Sequence, residues 1–364
     1  MRFPEFTEGW ERTQLNHYLE ENKERNKRGL FNKNDVLSVS GDFGIVNQIE
    51  LLGRSFAGKS VLDYHIVRSG NIVYTKSPLK EYPYGIVKIN KGVDGIVSTL
   101  YAVYNVKENA DGRFIEFYFE LPNRINRYFK PIVRIGAKHD MKIGNDEVLA
   151  NNVVFPCLAE QMRISNLITL LNKRIATQNK IIQQLQSLIK GIVVSITSGK
   201  PNTNISKCLV CKSSTLQENQ IEECGDYPVY GANGVCGYTN KADFDSPAIL
   251  IVKDGSGVGN VRYVNGDYSV IGTQNILTAQ NGYCLKYIFY CLKAFNFVPY
   301  KTGMAIPHIY FKDYGKAKIY CPDFVKQVKI VSQIDLVETK IEIETQLLNK
   351  YEEQKKFLLS NMFI

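Results

Sequence analysis

The stretch Pro156-Cys157-Leu158-Ala159-Glu160-Gln161 opens a long helical pattern, and Pro322-Asp323-Phe324-Val325-Lys326-Gln327 opens a second one of the same length. In both stretches the glutamine follows the proline by five residues, and the second copy lies 166 residues after the first. Apolar residues then recur in alternating steps of four and three over about four heptads, which is typical of a coiled coil. The sequence therefore predicts two similar modules, each followed by a long helix.

The predicted seam positions of the two helices correspond one to one at this offset of 166 residues. They are Ile164, Ile168, Leu171, Ile175, Gln178 and Ile182 in the first helix, and Ile330, Ile334, Val337, Ile341, Glu344 and Leu348 in the second. Gln178 and Glu344 interrupt both apolar patterns at their midpoints. In an antiparallel pair the midpoints would meet, so we expect either a central polar pair that fixes the register or two side chains that reach solvent.

Strand-like runs and turn signals precede each helix in the same order. Residues 70–75 and 85–89 read as strands in the first half, and residues 248–252 read as a buried strand in the second. A chain of 364 residues is also too long for one ordinary core. We predict an α+β fold in which two similar globular domains, 1–155 and 196–318, are separated by two long antiparallel coiled-coil helices, 156–195 and 319–364.

The net charge of +9 is spread along the chain. Residues 156–195 carry five basic and one acidic side chains and residues 319–364 carry six and seven, which favours pairing of the two helices with each other. Because there is no basic tail, a polyanion would have to meet folded surfaces on both modules. The first six residues lack an apolar signal core and no run of eighteen apolar residues occurs, so we expect a soluble cytoplasmic protein with reduced thiols and no membrane partner.

Catalytic and metal-binding motifs are scarce. The sequence contains no HExxH, no GxSxG elbow and no Walker loop. Cys208-x-x-Cys211 is followed only by the single residues Cys224 and Cys236, so buried thiols are a better interpretation than a structural zinc site. The glycines 255, 257 and 259 do not have the dinucleotide-binding spacing and permit a close backbone approach instead. We expect a non-catalytic chain without a metal or cofactor of its own.

These features resemble the specificity subunits of type I restriction-modification systems over essentially the whole chain. The resemblance rests on the order of its motifs, which are Phe3-Pro4-Glu5-Phe6 with Trp10, the segment 156–164, Pro228-Val229-Tyr230-Gly231-Ala232-Asn233-Gly234, Gly237-Tyr238, the segment 253–261, and Thr302-Gly303-Met304-Ala305-Ile306-Pro307-His308-Ile309 leading to Pro322 and Gln327. Residues 1–155 depart more from the family pattern than residues 196–318 do.

The resemblance implies that two target recognition domains each read one half of a bipartite double-stranded DNA site. The helices would act as a spacer and dock two methylation subunits, and restriction subunits would join through the complex. S-adenosylmethionine, ATP and Mg would then belong to those partner subunits. The chain also lacks the Asn-Pro-Pro-Tyr or Asp-Pro-Pro-Tyr run of the family's methylation subunits.

Candidate DNA-binding residues are polar or basic and lie in predicted turns between apolar runs, where the side chains of a DNA reader would protrude. They are Lys76, Ser77, Tyr82, Arg134, His139 and Lys142 in the first domain, and Lys253, Ser256, Lys301, Thr302, His308 and Tyr310 in the second. Two other hypotheses remain open. A cytoplasmic coiled-coil scaffold joining two protein-binding modules would show no salt-dependent DNA affinity, and a zinc-dependent enzyme would contain stoichiometric metal.

Overall fold

The computed structural model describes residues 2–58, 60–79, 82–135 and 141–363. The chain divides into two compact units, of which the first comprises Met1–Thr177 with Leu348–Ile364 and the second comprises Gln178–Leu347. Each unit therefore contains one α+β module and a part of each long helix.

The module of the first unit is built from short strands and helices. Its strands are β1 (Glu11–Gln14), β2 (Leu19–Glu21), β3 (Leu37–Ser40), β4 (Gly44–Asn47), β5 (His65–Val67), β6 (Ile72–Thr75), β7 (Val87–Ile89), β8 (Gly95–Val97), β9 (Tyr101–Val106), β10 (Arg134–Ile135), β11 (Met141–Lys142) and β12 (Asn152–Phe155). Its helices are α1 (Gln48–Leu52), α2 (Gly112–Tyr118), α3 (Pro122–Phe129) and α4 (Asn145–Ala150), with 3-10 turns at Leu15–His17 and Lys33–Asp35. The first long helix, α5 (Leu158–Thr197), follows directly.

The second module has a similar set of elements. Its strands are β13 (Thr203–Asn204), β14 (Leu209–Ser213), β15 (Tyr227–Gly231), β16 (Gly234–Thr239), β17 (Ala248–Val252), β18 (Val261–Val264), β19 (Ser269–Val270), β20 (Gln274–Ala279) and β21 (Lys318–Ile319). Its helices are α6 (Ile205–Cys208), α7 (Leu285–Lys293) and α8 (Phe311–Tyr314), with 3-10 turns at Glu218–Gln220 and Val298–Tyr300. The second long helix is α9 (Phe324–Met362).

The central sheets of the two modules have the same topology. Within the described residues, the first sheet has the order β2-β9-β6-β7 and the second has the order β14-β20-β17-β18, and all neighbouring strands are antiparallel. The first strand of each module also pairs with the strand before its long helix, β1 with β12 and β13 with β21. The internal repeat predicted from the sequence is therefore a repeat of fold.

Both faces of each central strand are buried. In β17, Ile249 and Ile251 pack against helix α7, whereas Ala248 and Leu250 pack on the other face with Val270 and Tyr268. Successive side chains of a strand point to opposite faces, so a strand covered on both faces reads as a continuous apolar run. This explains why residues 248–252 read as a buried strand in the sequence.

A buried glutamine joins each long helix to the short helix of its own module. Gln161 donates from Nε2 to the Pro156 carbonyl oxygen (2.9 Å) and accepts from the Asp111 amide through Oε1 (3.0 Å). Its counterpart Gln327 donates to the Pro322 carbonyl oxygen (2.8 Å) and accepts from the Cys284 amide (2.9 Å). Asp111 and Cys284 are the N-cap residues of α2 and α7. The repeated Pro-to-Gln spacing is therefore a repeated hydrogen-bond junction.

The two long helices pair antiparallel in each unit. In the first unit, Ile164, Ile168 and Leu171 near the start of α5 share a core with Leu358 and Met362 near the end of α9. In the second unit, the core that contains Ile196 from the end of α5 also contains Val331 and Ile334 from the start of α9. These contacts and the two α+β modules confirm the predicted fold class.

The seam positions are all buried or half-buried. Fully buried are Ile164, Ile168, Leu171, Gln178, Ile334 and Glu344, and half-buried are Ile175, Ile182, Ile330, Val337, Ile341 and Leu348. Helix α9 begins at Phe324, later than the predicted segment 319–364, because Ile319 is the end of strand β21 and residues 320–323 connect that strand to the helix. Asp323 accepts a hydrogen bond from the Lys326 amide (3.0 Å), which satisfies one N–H of the first turn of α9.

The two midpoint residues contact each other. Gln178 Nε2 donates to the Glu344 carboxylate and to the Glu344 carbonyl oxygen, which lies 3.1 Å away. Lys340 forms an ion pair with the same carboxylate. The ammonium group of Lys340 and the amide of Gln178 hold the pKa of Glu344 below its usual value. This polar pair interrupts the apolar seam at one level, where it favours one register over the alternatives.

Gln327→Leu tests the hydrogen-bond junction of the second unit. The change removes the acceptor of the Cys284 amide, so we expect the free energy of unfolding of this unit to fall by about 1–3 kcal/mol. Gln333→Leu on the exposed side of the same helix is the matched control and should change it by less than about 0.5 kcal/mol. Urea denaturation followed by far-UV circular dichroism measures both variants. Equal losses would show that the junction contributes nothing specific.

A second test concerns the midpoint pair. Gln178→Leu alone should lower thermal stability, because it leaves the buried Glu344 carboxylate with one partner fewer. The double variant Gln178→Leu, Glu344→Leu should recover or exceed the wild-type melting temperature, because an apolar pair replaces a buried polar one. A double variant less stable than the single one would contradict this expectation.

Candidate nucleic-acid interface

Two loops of the second module meet at one surface. The loop 253–259 follows strand β17, and the loop 301–310 leads into helix α8. The Ile309 amide donates to the Lys253 carbonyl oxygen (2.9 Å), and the Gly255 amide donates to the Pro307 carbonyl oxygen (3.0 Å). Lys253, Ser256, Thr302, His308 and Tyr310 are therefore brought together by the fold, as is Lys301 next to Thr302.

The loop 302–308 forms a hairpin. The Thr302 and His308 amides each donate to the other residue's carbonyl oxygen, at 2.9 and 2.8 Å. Gly303 has a left-handed φ of +89°, and a Cβ at this position would lie 2.3 Å from the Ile306 carbonyl oxygen. Only glycine fits here without moving the hairpin backbone. At its tip Met304 is fully exposed and Ile306 is 65% exposed.

Polar and aromatic groups flank this hairpin. Lys301, Thr302 and Ser256 are exposed, and Lys253 and His308 are half-buried. The Tyr310 ring lies 5.2 Å from the His308 ring, and Lys312 Nζ lies 5.2 Å from the centre of the Tyr310 ring. An apolar tip with hydrogen-bond donors and cations beside it has the composition of a surface that contacts both bases and phosphates.

In the first module, Lys76 is engaged internally. Its ammonium group donates to the Ile143 carbonyl oxygen (3.0 Å) and to the Asn145 side chain, and Asn145 in turn donates to Glu21. Burial lowers the pKa of Lys76, although the Glu21 and Glu147 carboxylates oppose that shift. Lys76 thus ties the end of strand β6 to the start of helix α4. Its charge serves this connection, and its side chain is half-buried.

Arg134 and Lys142 lie opposite each other on the antiparallel ribbon β10–β11. The sequence placed both residues in turns, whereas the structure places them in short paired strands. Both are exposed, and Arg134 makes an ion pair of 3.5 Å with the partly exposed Glu147. Two cations directly opposite on a ribbon repel each other, so an anion bound there would relieve a destabilising contact.

The remaining candidates of the first module differ in their surroundings. Ser77 is half-buried in the loop after β6. The ring of the half-buried Tyr82 covers Gly41, where an added Cβ would lie 2.9 Å from the ring. His139 lies outside the described residues.

Sequence reasoning missed a polar cavity beside the loop 253–259. It has a volume of about 460 Å³ and is lined by Ala232, Asn233, Val252, Gly259, Asn260, Val261, Arg262, Gln274 and Lys293. Gly234 makes room for Arg262, because a Cβ on Gly234 would lie 2.8 Å from Arg262 Nη1. Arg262 escaped notice because it lies inside strand β18. The sequence signal that could have identified it is a charged residue, Arg262, between Val261 and Tyr263 in a strand.

The cysteines of the second module are free thiols. Cys208 is buried with its sulfur 3.8 Å from that of Cys321, whereas the Cys211 sulfur contacts the Lys212 carbonyl oxygen. Burial raises the pKa of Cys211 to about 11, which keeps this thiol protonated at neutral pH. Within the described residues no three His, Cys, Asp or Glu side chains are arranged to hold a metal ion. The described helices include none long and apolar enough to cross a membrane.

Residues 208–353 match the family model described as the type I restriction modification DNA specificity domain. The type I restriction enzyme EcoprrI specificity subunit of Escherichia coli is 26% identical over 118 residues. These residues cover 32% of this chain and 29% of that subunit, so the match spans less than a third of the length of this curated relative.

Two solved structures have a similar fold over nearly the whole chain. The specificity subunit of a type I restriction-modification system from M. genitalium superposes with a TM-score of 0.60 at 15% identity and covers 100% of this chain and 99% of its own. A chain solved in work on complex assembly and conformational transition of the type I R-M system has a TM-score of 0.57 at 14% identity and covers 97% of both chains. As the sequence motifs predicted, the chain resembles the specificity subunits of type I restriction-modification systems, in the sequence of residues 208–353 and in its fold.

Proposed function

We propose that this chain recognises DNA sequence for a type I restriction-modification complex and performs no chemistry itself. Each α+β module would read one half of a bipartite site in double-stranded DNA. The observation that carries the proposal is the repeat of one sheet topology in two units, each with exposed polar or basic side chains outside its central sheet. Two modules of one fold with different loops suit a target with two different halves.

In the second module, the hairpin 302–308 is the proposed reading element. A protruding loop of this size, closed by the bridge between Thr302 and His308, could enter the major groove, where the side chains of these two residues would form hydrogen bonds with base edges. Met304 and Ile306 at the tip offer apolar contact to a thymine methyl group. Lys301 and Lys253 on either side would contact phosphates, which fix the position of the module but carry no sequence information.

In the first module, the ribbon β10–β11 is the counterpart of that hairpin. The exposed cations Arg134 and Lys142 share one face of the ribbon, so one phosphate or one guanine edge could accept from both. Lys76 supports the start of helix α4 a few residues further along the chain. We therefore assign recognition to Arg134 and Lys142 and a positioning role to Lys76.

The long helices would dock two methylation subunits. Besides the seam, each helix carries a second set of exposed large apolar residues, which are Leu170, Leu188 and Val194 on α5 and Leu336, Ile343 and Phe357 on α9. Exposed apolar residues on a helix are typical of a surface that packs against a partner helix. The restriction subunits would join this chain through the complex. The chemistry would be supplied by S-adenosylmethionine on the methylation subunits and by ATP and Mg on the restriction subunits.

Exchange of residues 196–318 for the same segment of a relative with a different target tests modular recognition. Methylation mapping of the reconstituted complex should show that one half of the target changes while the other half and the spacing stay the same. A change in both halves would rule out two independent readers. A complex without salt-dependent DNA affinity would instead favour the scaffold hypothesis.

Gly303→Ala tests the hairpin as a reading element. Its Cβ would meet the Ile306 carbonyl oxygen at 2.3 Å, so the hairpin must distort. We expect affinity for the target duplex to fall about tenfold or more, which corresponds to about 1.4 kcal/mol. Gly266→Ala is the matched control, because Gly266 has nearly the same φ (+88°) with open space around it. Fluorescence anisotropy titrations at fixed salt measure both. An unchanged affinity for Gly303→Ala would remove the hairpin from the interface.

A further inference from the structure

A cavity in the first unit has an arginine-rich lining that the proposed DNA-reading surface does not use. Its volume is about 560 Å³, within the usual range of small-molecule sites. The lining residues are Arg12, Tyr118, Arg124, Arg127, Tyr128, Pro131, Asn151, Asn152 and Val154. Three of these described lining residues are arginines and none is acidic.

The arginines come from two different elements that face each other. Strand β1 pairs with β12 so that Arg12 lies opposite Val154. Helix α3 supplies Arg124, Arg127 and Tyr128, which share one face because residues three and four apart on a helix are neighbours. The guanidinium groups therefore converge on the cavity from the strand side and from the helix side.

The three arginines differ in the hydrogen bonds and ion pairs that they already make. Arg124 is half-buried and donates from Nη1 to the Leu359 carbonyl oxygen (3.1 Å) and from Nη2 to the Phe363 carbonyl oxygen (2.6 Å). Arg12 and Arg127 are exposed at the cavity and make no ion pair with any described residue. Like charges gathered without a carboxylate repel each other, so an anion in the cavity would remove an unfavourable interaction.

The fold itself does not require these arginines. The second unit has a cavity of about 400 Å³ at the equivalent place. Its lining includes Cys291, Tyr300, Lys318 and Tyr320, which correspond in position to lining residues of the first cavity. Tyr300 lies sixteen residues after the N-cap residue Cys284, as Arg127 lies sixteen residues after the N-cap residue Asp111, so Tyr300 corresponds to Arg127. On the strand side, Lys318 corresponds to Asn152 and Tyr320 to Val154. The equivalent position of Arg127 is thus an aromatic residue. Two copies of one partner subunit would meet unlike pockets, which argues against a shared docking role.

We propose that the arginine cavity of the first unit binds a small phosphate-bearing anion, either inorganic phosphate or the phosphate chain of a nucleotide. A tetrahedral phosphate offers oxygens in several directions and can accept from forks on both sides, whereas a carboxylate offers its two oxygens in one plane. Arg12 and Arg127 bind the anion, and the side-chain amide of the exposed Asn152 in the cavity lining is a further donor. Arg124, held by the two carbonyl oxygens, keeps the pocket positive without needing to move.

Titration of the full chain with inorganic phosphate and, separately, with ATP tests this site. Isothermal titration calorimetry in chloride buffer should show saturable binding of at least one probe. Arg12→Gln, Arg127→Gln should weaken it tenfold or more. Arg174→Gln, an exposed arginine of helix α5, is the control and should stay within twofold. Circular dichroism and the melting temperature verify that each variant is folded.

The outcomes separate this site from DNA recognition. If only inorganic phosphate binds, the ligand of the cavity is the free anion. If ATP binds more tightly than phosphate, the ligand is a nucleotide. Absence of saturable binding of both probes, or equal binding by the double arginine variant, overturns the proposal. Displacement of the bound probe by duplex DNA also overturns it, because the arginines would then belong to the DNA surface. Loss of DNA binding in the hairpin variants leaves this site unaffected, since no residue is shared.

Discussion

The structure depends on the hydrogen bonds that Gln161 and Gln327 make where each module joins its long helix. Each side chain is buried and uses both ends of its amide. The nitrogen donates to the carbonyl oxygen of the preceding proline, and the oxygen accepts from the backbone amide of the N-cap residue of a short helix. Loss of either partner of a buried amide costs about 1–3 kcal/mol, so the junction favours one direction in which the long helix leaves the module. The seam residues of the helix then face the partner helix because their heptad phase starts from this point.

Partly exposed charges add to this junction. In the second unit Lys286 pairs with Asp335 at 2.5 Å and with Glu338 at 3.1 Å, and Tyr290 donates to the same Glu338 (2.8 Å), so helix α7 is tied to α9. In the first unit Lys355 of α9 pairs with Glu120 after helix α2 (2.6 Å). Single pairs of this exposure contribute little to stability. In the second unit one ammonium group is shared by two carboxylates, and one of these also accepts from a tyrosine, so the network restricts the relative position of the two helices. Cations such as Lys301 and Lys142 remain outside these networks and are available to a polyanion.

Sequence reasoning predicted those features that local periodicity determines. The heptads of α5 and α9 identified the seam and its polar midpoint, because helical spacing alone decides which side chains share a face. The continuous apolar run of β17 indicated a strand covered on both sides. It did not predict that Lys76 would be held by Ile143 and Asn145, or that Arg12 and Arg127 would converge, because these contacts join residues about 70 to 115 positions apart. Arg262 was missed because it lies inside strand β18, and the glycine that makes room for its side chain is in another strand.

The antiparallel pairing of the helices has a consequence for the order in which the chain can fold during synthesis. The core of the first unit includes Leu358, Leu359 and Met362 from the final turns of α9, although most of this unit precedes the second unit in the chain and is synthesised before it. Until those turns emerge from the ribosome, Ile164, Ile168 and Leu171 have no second helix to cover them. Uncovered apolar side chains on a nascent chain are binding sites for chaperones and for other copies of the same protein. In the second unit Ile196 waits only for the start of α9, because all residues of this unit form one continuous segment.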